Sequence, residues 1–315
     1  MPVLKLKPAC KDYLWGGNRL RSEYHLAYDR TPLAEGWMLS CHPDGPSVIE
    51  NGPDAGKTLA EYIAENGKGV LGSFGLLFDG FPILIKLIDA KDNLSIQVHP
   101  SNKYAMEHEG QYGKTEMWYI LDAEPGAFLY YGFQKEISTE EFARRIADNT
   151  LTEVLNAVPV KKGDVFFIPS GTLHAIGKGI LIAEIQQNSN VTYRVYDYGR
   201  VGVDGKPRAL HVEKAEAVTR CTPPRTDYNF GGHLARCEYF TVDRMDGSFA
   251  DFCDDESFTS LLVLEGEGTI FCDGEALPVQ KGDSLFLPAE SGAYTLADAE
   301  KSHPLSLLRT RVGTI

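Results

Sequence analysis

Val-Lys-Lys-Gly-Asp-Val-Phe-Phe-Ile-Pro, at residues 160–169, recurs as Val-Gln-Lys-Gly-Asp-Ser-Leu-Phe-Leu-Pro at residues 279–288. In each copy a Lys-Gly-Asp turn reverses the chain, a short apolar segment follows, and a proline ends that segment. A strand-like segment precedes each copy, at 118–121 and at 262–266. Because ten aligned positions match in character, the repeat predicts two small antiparallel β-barrels rather than the recurrence of a common turn.

Strand-like segments dominate the rest of the chain, and helices are few. We expect two short strands within 36–49, single strands at 81–88, 94–99, 164–169, 179–187 and 192–196, and a hairpin formed by 116–121 and 127–132. Apolar periodicity behind hydroxyl caps predicts helices at about 58–66 and 138–156. Residues 200–235 resemble a linker, which divides the chain into a first domain at 1–235 and a second at 236–315.

The composition is that of a folded protein with an acidic surface. Hydrophobic residues make up 43% of the 315 positions, which argues against disorder, and the formal net charge is -13. Such a charge repels phosphate backbones, so we expect no nucleic-acid partner. No apolar stretch approaches the roughly 20 residues that a membrane helix needs. The six cysteines form no CxxC pair, so we expect reduced thiols in a cytoplasmic protein.

Four polar residues in the first repeat unit suggest a metal site. Gln97 and His99 are two apart on a predicted strand and so face the same side, Glu116 opens another strand, and His174 follows the 160–169 repeat. Each has an ordinary structural explanation by itself, but together they form a nitrogen and oxygen donor set typical of a catalytic divalent ion. The second repeat unit lacks such a set, and Tyr294 falls near the position that His174 occupies in the first.

Three cations accompany these candidate ligands. Lys86 interrupts an apolar strand, and a buried lysine needs an anion or a catalytic role. Lys114 lies two residues before Glu116, and Arg194 lies in the 188–197 segment. The structural alternative for each is a surface cation or an ion pair. For Lys86 the sequence favours neither a structural nor a functional role. For Lys114 and Arg194 a functional role is favoured, because both lie in segments next to the candidate ligands.

The segments at 94–100 and 113–118 resemble the signature of type I mannose-6-phosphate isomerases, which are zinc-containing cupins. The resemblance extends to 34–37, to the turn before His174 and to 188–194, and so covers nearly the whole chain. It implies two cupin-type (jelly-roll) barrels, of which only the first binds metal. The chain is similar in length to the short bacterial form of the family.

The resemblance also implies a role for each candidate residue. One Zn²⁺ per chain would be held by Gln97, His99, Glu116 and His174. Arg194 and Lys114 would be catalytic, and the sugar phosphate would contact Ser95, Lys86, Glu35 and Trp37. The expected protein is a monomer or a weak homodimer that acts on a small sugar phosphate.

The implied reaction interconverts mannose 6-phosphate and fructose 6-phosphate by moving a proton between C1 and C2 through an enediolate. A dication and an arginine would stabilise the charge that develops on the two oxygens. A base must shuttle the proton, and His99, Lys114 and Glu35 are all candidates.

Two other functions fit parts of the sequence. Two histidines and a carboxylate also form the iron site of some dioxygenases, although Gln97 as a fourth ligand argues against iron. A sugar-phosphate-binding protein without catalytic activity is the second alternative.

Overall fold

The computed structural model describes residues 3–201 and 205–313, which form 22 short strands and six short helices. The strands of the first 200 residues are β1 (Leu4–Lys7), β2 (Ala9–Lys11), β3 (Glu35–Leu39), β4 (Val48–Ile49), β5 (Ile83–Ala90), β6 (Ile96–Val98), β7 (Glu116–Ala123), β8 (Phe128–Phe133), β9 (Leu155–Pro159), β10 (Val165–Ile168), β11 (His174–Ala175), β12 (Ile180–Gln187) and β13 (Tyr193–Tyr196). Those that follow are β14 (Ala235–Arg236), β15 (Phe240–Asp246), β16 (Phe249–Cys253), β17 (Thr259–Glu265), β18 (Glu267–Cys272), β19 (Glu275–Gln280), β20 (Ser284–Leu287), β21 (Gly292–Asp298) and β22 (Ser306–Val312). The helices are α1 (Arg19–Ser22), α2 (Leu59–Asn66), α3 (Gly72–Gly75), α4 (Asn102–Glu109), α5 (Thr139–Ala147) and α6 (Val212–Val218), with 3₁₀ turns at Lys68–Leu71 and Leu151–Glu153.

Both helices expected from the sequence form, and the capping residues explain where they begin. The Thr58 hydroxyl accepts a hydrogen bond from the Glu61 N–H, and the Glu61 carboxylate accepts one from the Thr58 N–H, which completes the capping box of α2. At α5 the Ser138 hydroxyl accepts a hydrogen bond from the Glu141 N–H, which is a simple N-cap. The expected extension of α5 to residue 156 is right only in part: a 3₁₀ turn forms at Leu151–Glu153, but Leu155 begins the edge strand β9.

Two helices, α6 and α4, are not predicted from the sequence. The linker expected at 200–235 contains α6, while its residues 202–204 lie outside the described part of the chain. Helix α4 begins after Ser101, whose hydroxyl accepts a hydrogen bond from the Tyr104 N–H, and ends at Gly110 with φ 65°. Ser101 and Gly110 form a start-and-stop pair that is visible in the sequence.

Contacts divide the chain into two compact units. Unit 1 contains residues 1–13, 18–88 and 229–315, and unit 2 contains residues 14–17 and 89–228. Unit 2 thus ends seven residues before the sequence-based boundary at 235/236, and most of the first 88 residues group with the C-terminal part of the chain. The division at 235/236 therefore stays a prediction about the two repeats.

Unit 2 contains antiparallel strands in two sets. One set has the order β10-β7-β12, and the other is a five-stranded sheet with the order β13-β6-β11-β8-β9. The hairpin expected for 116–121 and 127–132 is wrong: both segments are strands, but β7 pairs with β10 and β12, whereas β8 pairs with β9 and β11. Apolar side chains such as Phe133, Phe142 and Leu173 form the core beside the five-stranded sheet.

Unit 1 contains a seven-stranded antiparallel sheet with the order β14-β15-β22-β17-β20-β1-β4 and a four-stranded sheet with the order β16-β21-β18-β19. Its strands β2 and β3 pair with each other, and β3 also pairs with β5. Leu261, Leu285, Tyr294 and Leu307 are among the fully buried side chains of its core. The chain is therefore mainly β with antiparallel sheets, as the sequence predicts.

The two copies of the sequence repeat form the same turn. The Gly163 N–H donates to the Ile120 carbonyl at 2.8 Å, and the Gly282 N–H donates to the Val263 carbonyl at 2.9 Å. In each turn the aspartate side chain accepts a backbone N–H three residues earlier, at 2.9 Å in both copies. The glycines have φ values of 91° and 93°, a conformation that favours glycine. The two copies therefore share one local turn structure.

Two further expectations concern cysteines and membranes. All six cysteines are free thiols, as expected from their spacing. Within residues 3–201 and 205–313, the helices are too short and too polar to span a bilayer.

The two turn glycines offer a matched test of the repeat. We expect Gly163→Ala to lower the free energy of unfolding by about 1–2 kcal/mol, because φ is positive there but the space around an added Cβ is open. Gly282→Ala should cost clearly more, because its Cβ would lie 2.0 Å from the Tyr24 carbonyl oxygen. Urea denaturation followed by circular dichroism measures both, and equal losses would contradict the role of this close approach.

Candidate metal centre

Three strands of unit 2 bring the candidate ligands together. Gln97 lies at the centre of β6 and His99 directly follows that strand, so alternation turns both side chains to one face. Glu116 is the first residue of β7. His174 is the first residue of β11 and is paired in register with Gln97. The four residues predicted from sequence are therefore neighbours in space.

Their polar atoms converge on a small, buried space. Glu116 Oε1 lies 3.3 Å from His174 Nε2, and Glu116 Oε2 lies 3.6 Å from His99 Nε2. One ligand atom from each of these three residues falls within 4.8 Å of the other two, and the three side chains are at most 1% exposed. Gln97 Nε2 lies 3.5 Å from His174 Nε2, and a half-turn of the amide presents Oε1 there instead.

Backbone carbonyls fix the orientation of both imidazoles. His99 Nδ1 contacts the Val191 carbonyl at 2.9 Å, and His174 Nδ1 contacts the Thr172 carbonyl at 2.8 Å. Each carbonyl requires a proton on Nδ1, which leaves the Nε2 lone pair directed at Glu116. Burial lowers the pKa of His174 to about 4, so this ring is neutral near pH 7. Two imidazoles, a carboxylate and an amide fit a divalent metal ion.

Lys114 lies against the same carboxylate. Its Nζ is 2.7 Å from Glu116 Oε2, 3.2 Å from His99 Nε2 and 3.4 Å from Glu184 Oε1. The other oxygen of Glu184 accepts a hydrogen bond from Trp118 Nε1 at 2.9 Å. A buried lysine is thus held between two buried carboxylates, which limits the cost of burying its charge.

Glu184 is the residue of this centre that our sequence analysis missed. It lies in the middle of the apolar strand β12 and is 2% exposed. The signal that drew attention to Lys86, a charged residue inside an apolar strand, applies equally to Glu184.

Arg194 lies on the other neighbour of β6. Arg194 is in β13 and pairs with Gln97. Gln97 therefore lies between Arg194 on one neighbouring strand and His174 on the other. Its Nη1 donates to the Ala209 carbonyl at 3.1 Å. Burial and the charge of Arg208 lower the pKa of Arg194, while Asp197 opposes that shift.

The expected substrate-binding residues fall into two groups. Ser95 is buried in unit 2, directly before β6. Glu35, Trp37 and Lys86 are buried together in unit 1: Trp37 Nε1 donates to Glu35 Oε2 at 2.8 Å, and Lys86 Nζ lies 3.9 Å from that same oxygen. Lys86 thus has the anionic neighbour that its burial requires.

The second repeat unit differs at the position of His174. Counted from the proline that ends each repeat, Ala293 corresponds to His174, and Tyr294 lies one residue later. The Tyr294 side chain is part of the core of unit 1, and its hydroxyl donates to Asp251 at 2.8 Å. Among the described residues, the one His/Cys/Asp/Glu group with metal-binding geometry is that of His99, Glu116 and His174.

Comparison with known proteins gives a consistent picture. Residues 3–125 match the model of the phosphomannose isomerase type I catalytic domain, and residues 232–299 match that of the mannose-6-phosphate isomerase cupin domain. The first match includes Gln97, His99, Lys114 and Glu116.

Relatives extend this similarity to nearly the whole chain. A mannose-6-phosphate isomerase of Streptococcus mutans is 41% identical over 285 residues, which cover 87% of this chain and 89% of the relative. The mannose-6-phosphate isomerase ManA of Bacillus subtilis is 39% identical over 307 residues, with 93% and 95% covered. The crystal structure of a mannose 6-phosphate isomerase from Bacillus subtilis superimposes with a TM-score of 0.88 at 37% identity and covers 98% of this chain and 99% of that one. The chain therefore belongs to the type I mannose-6-phosphate isomerase family, and this membership supports isomerase activity over both the dioxygenase and the binding-protein alternatives.

Proposed function

We propose that this chain interconverts D-mannose 6-phosphate and D-fructose 6-phosphate at a single zinc centre in unit 2. The observation that carries the proposal is the convergence of His99, Glu116 and His174 within 4.8 Å, beside the ammonium group of Lys114. All the candidate ligands come from one chain, which is compatible with a monomer or a weak homodimer. The acidic surface disfavours a nucleic-acid partner.

We assign the metal to Gln97, His99, Glu116 and His174, with one Zn²⁺ per chain. Neutral imidazole, carboxylate and amide donors suit zinc, and the absence of a thiolate among these four leaves the ion a strong Lewis acid. A bound zinc ion supplies positive charge that stabilises the negative charge developing on the sugar oxygens.

We assign the proton transfer between C1 and C2 to Lys114: as the neutral amine its Nζ takes the proton from one carbon, and the ammonium so formed returns it to the other. Of the three base candidates, His99 has both ring nitrogens committed, one to the Val191 carbonyl and one to the ligand cluster. Glu35 is engaged by Trp37 in unit 1. Lys114 reaches the cluster through its Nζ, and Glu184 helps to hold it there.

Arg194 supplies the second catalytic cation. A guanidinium keeps its charge throughout the reaction, so it can stabilise an enediolate without exchanging a proton with it. We keep Ser95, Lys86, Glu35 and Trp37 as the proposed substrate-binding residues: hydroxyl and ammonium groups bind phosphate, and Glu35 and Trp37 hold Lys86 in place within unit 1.

We further propose that each copy of the repeat belongs to a cupin-type jelly-roll barrel. The metal-binding barrel would lie within residues 1–235 and the metal-free barrel within 236–315. The matching hydrogen bonds at Gly163 and Gly282 and the cupin-domain match at 232–299 support this assignment.

The activity itself is tested with and without metal. Purified protein should convert mannose 6-phosphate to fructose 6-phosphate in a coupled assay, lose activity on treatment with a chelator, and regain it when Zn²⁺ is returned. Binding of the sugar phosphate without turnover by zinc-loaded protein would contradict the proposal. Recovery with iron alone, accompanied by oxygen consumption, would favour a dioxygenase.

The ligand set is tested by metal content. His174→Ala removes a neutral imidazole from the cluster and should weaken zinc binding by roughly tenfold to hundredfold or more, with activity lost in parallel. His303→Ala is the control, because the side chain of His303 is 80% exposed and lies outside the cluster. Elemental analysis measures zinc per chain, and full occupancy in His174→Ala would remove His174 from the set.

Arg194 should behave differently from the ligands. Arg194→Ala should retain zinc but lower kcat by roughly 100-fold to 1,000-fold, as expected for the loss of one donor to a developing oxyanion. Steady-state kinetics and elemental analysis on one preparation separate the two effects. Loss of zinc in proportion to activity would make Arg194 a structural residue.

A further inference from the structure

Arg194 is held by a segment that follows it in the chain and folds back onto β13. The Arg194 N–H donates to His211 Nδ1 at 3.2 Å, and the His211 N–H donates to the Arg194 carbonyl at 2.8 Å. The Arg194 Nη1 donates to the Ala209 carbonyl at 3.1 Å. Residues 209 and 211 thus fix both the backbone and the guanidinium of Arg194.

A buried aspartate anchors this segment. Asp197 is 5% exposed, and it accepts a hydrogen bond from Arg208 Nε at 2.6 Å and another from Arg208 Nη2. The two bonds are the fork geometry that makes arginine–carboxylate pairs specific in direction as well as strong. Arg208 directly precedes Ala209, so the position of the Ala209 carbonyl depends on the Asp197–Arg208 pair.

A second arginine ties the same carboxylate to the rest of unit 2. Arg200 Nε donates to Asp197 Oδ1 at 3.2 Å, and Arg200 Nη1 donates to the Asn93 carbonyl, two residues before Ser95, at 2.6 Å. Burial alone would raise the pKa of Asp197, but the hydrogen bonds from Arg208 and Arg200 outweigh burial and keep the carboxyl ionised.

The backbone of β13 is irregular where this network begins. Arg194 pairs with Gln97 and Tyr196 pairs with Ile96, so Val195 is an extra residue in the ladder. A bulge of this kind changes the direction of the side chains beside it. The Arg194 Nε is buried and makes no hydrogen bond to any described residue, so the Nη1 contact is the polar contact that orients the guanidinium.

We propose that the Asp197–Arg208 ion pair is a positioning pair for the isomerase reaction, which holds the Arg194 guanidinium in its catalytic direction through the Ala209 carbonyl and His211. The inference rests on the catalytic role proposed for Arg194. Asp197 neutralises Arg200 and Arg208, which would otherwise add two positive charges beside Arg194. Its ion pair with Arg208 also fixes the position of the backbone at the next residue, Ala209. Neither residue is assigned a contact with substrate.

The test uses Asp197→Asn and Arg208→Lys in the zinc-loaded enzyme. Asn has the size of Asp but lacks its charge, and Lys keeps the charge but lacks the fork. Each variant should lower kcat by roughly tenfold to hundredfold, the cost of misplacing a catalytic group by about 1 Å. KM for mannose 6-phosphate should change by less than about twofold and zinc content should stay at one per chain, because the loss falls on the transition state.

Measuring Asp197→Asn in a second variant, Arg194→Lys, distinguishes a positioning role of the ion pair from a general effect on protein stability. In Arg194→Lys, which keeps a cation and measurable turnover, adding Asp197→Asn should lower kcat by less than about twofold, because the guanidinium that the pair holds is already gone. Asp251→Asn is the matched control: Asp251 accepts from Tyr294 and pairs with Arg309 in unit 1, so its loss should lower the melting temperature and leave kcat unchanged.

The outcomes separate the inference from the function on which it rests. Equal losses of kcat from Asp197→Asn in the wild-type and Arg194→Lys backgrounds, or losses that follow zinc content, would overturn the positioning role while the catalytic role of Arg194 stands. An unchanged kcat in both Arg194→Lys and Arg194→Ala would refute the role of Arg194 and this inference together, and the metal centre would be unaffected.

Discussion

The Glu116 carboxylate, which has no exposed surface, is the charge on which the site depends. Burying a carboxylate costs several kcal/mol of folding stability unless cations or hydrogen-bond donors surround it. Removing one partner of a buried ion pair destabilises the protein by more than the intact pair stabilises it. Lys114 at 2.7 Å supplies one positive charge, and the imidazole nitrogens of His99 and His174 complete a setting suited to a dication. Lys114 in turn requires Glu184, which Trp118 holds in place. Each buried charge of the centre is therefore stabilised by a neighbouring buried group, from Glu116 through Lys114 to Glu184.

The two repeat units show how one local structure serves two purposes. The turns at Gly163 and Gly282 share their backbone hydrogen bonds, their aspartate contacts and their positive φ values. Counted from the proline that ends each copy of the repeat, His174 in unit 2 corresponds to Ala293 in unit 1. The turn is thus part of the fold in both copies. The candidate metal site depends on side chains that differ between the copies although the local backbone is the same.

Much of this could be predicted from residue types and spacing, because those features are local. The alternation of Gln97 and His99, the capping box at Thr58 and the Lys-Gly-Asp turns all depend on neighbours in sequence. The errors concern partners that are distant in sequence. The hairpin expected at 116–132 fails because β7 and β8 pair with strands that come later in the chain. Glu184 carries a local signal, a charge inside an apolar strand, but its role depends on Lys114, which is 70 residues away. Asp197 escaped notice because its role depends on a segment that folds back onto β13.

The central strand β6 is the feature with the widest consequence. Its central residue, Gln97, pairs with His174 of β11 on one side and with Arg194 of β13 on the other. Side chains alternate between faces, so a slip of one residue in either ladder would turn a ligand or the arginine away from its partner. Insertions and deletions in relatives should therefore accumulate in the connecting loops and spare these ladders. Evolution can remodel what surrounds the centre far more freely than it can change the length of the strands that carry it.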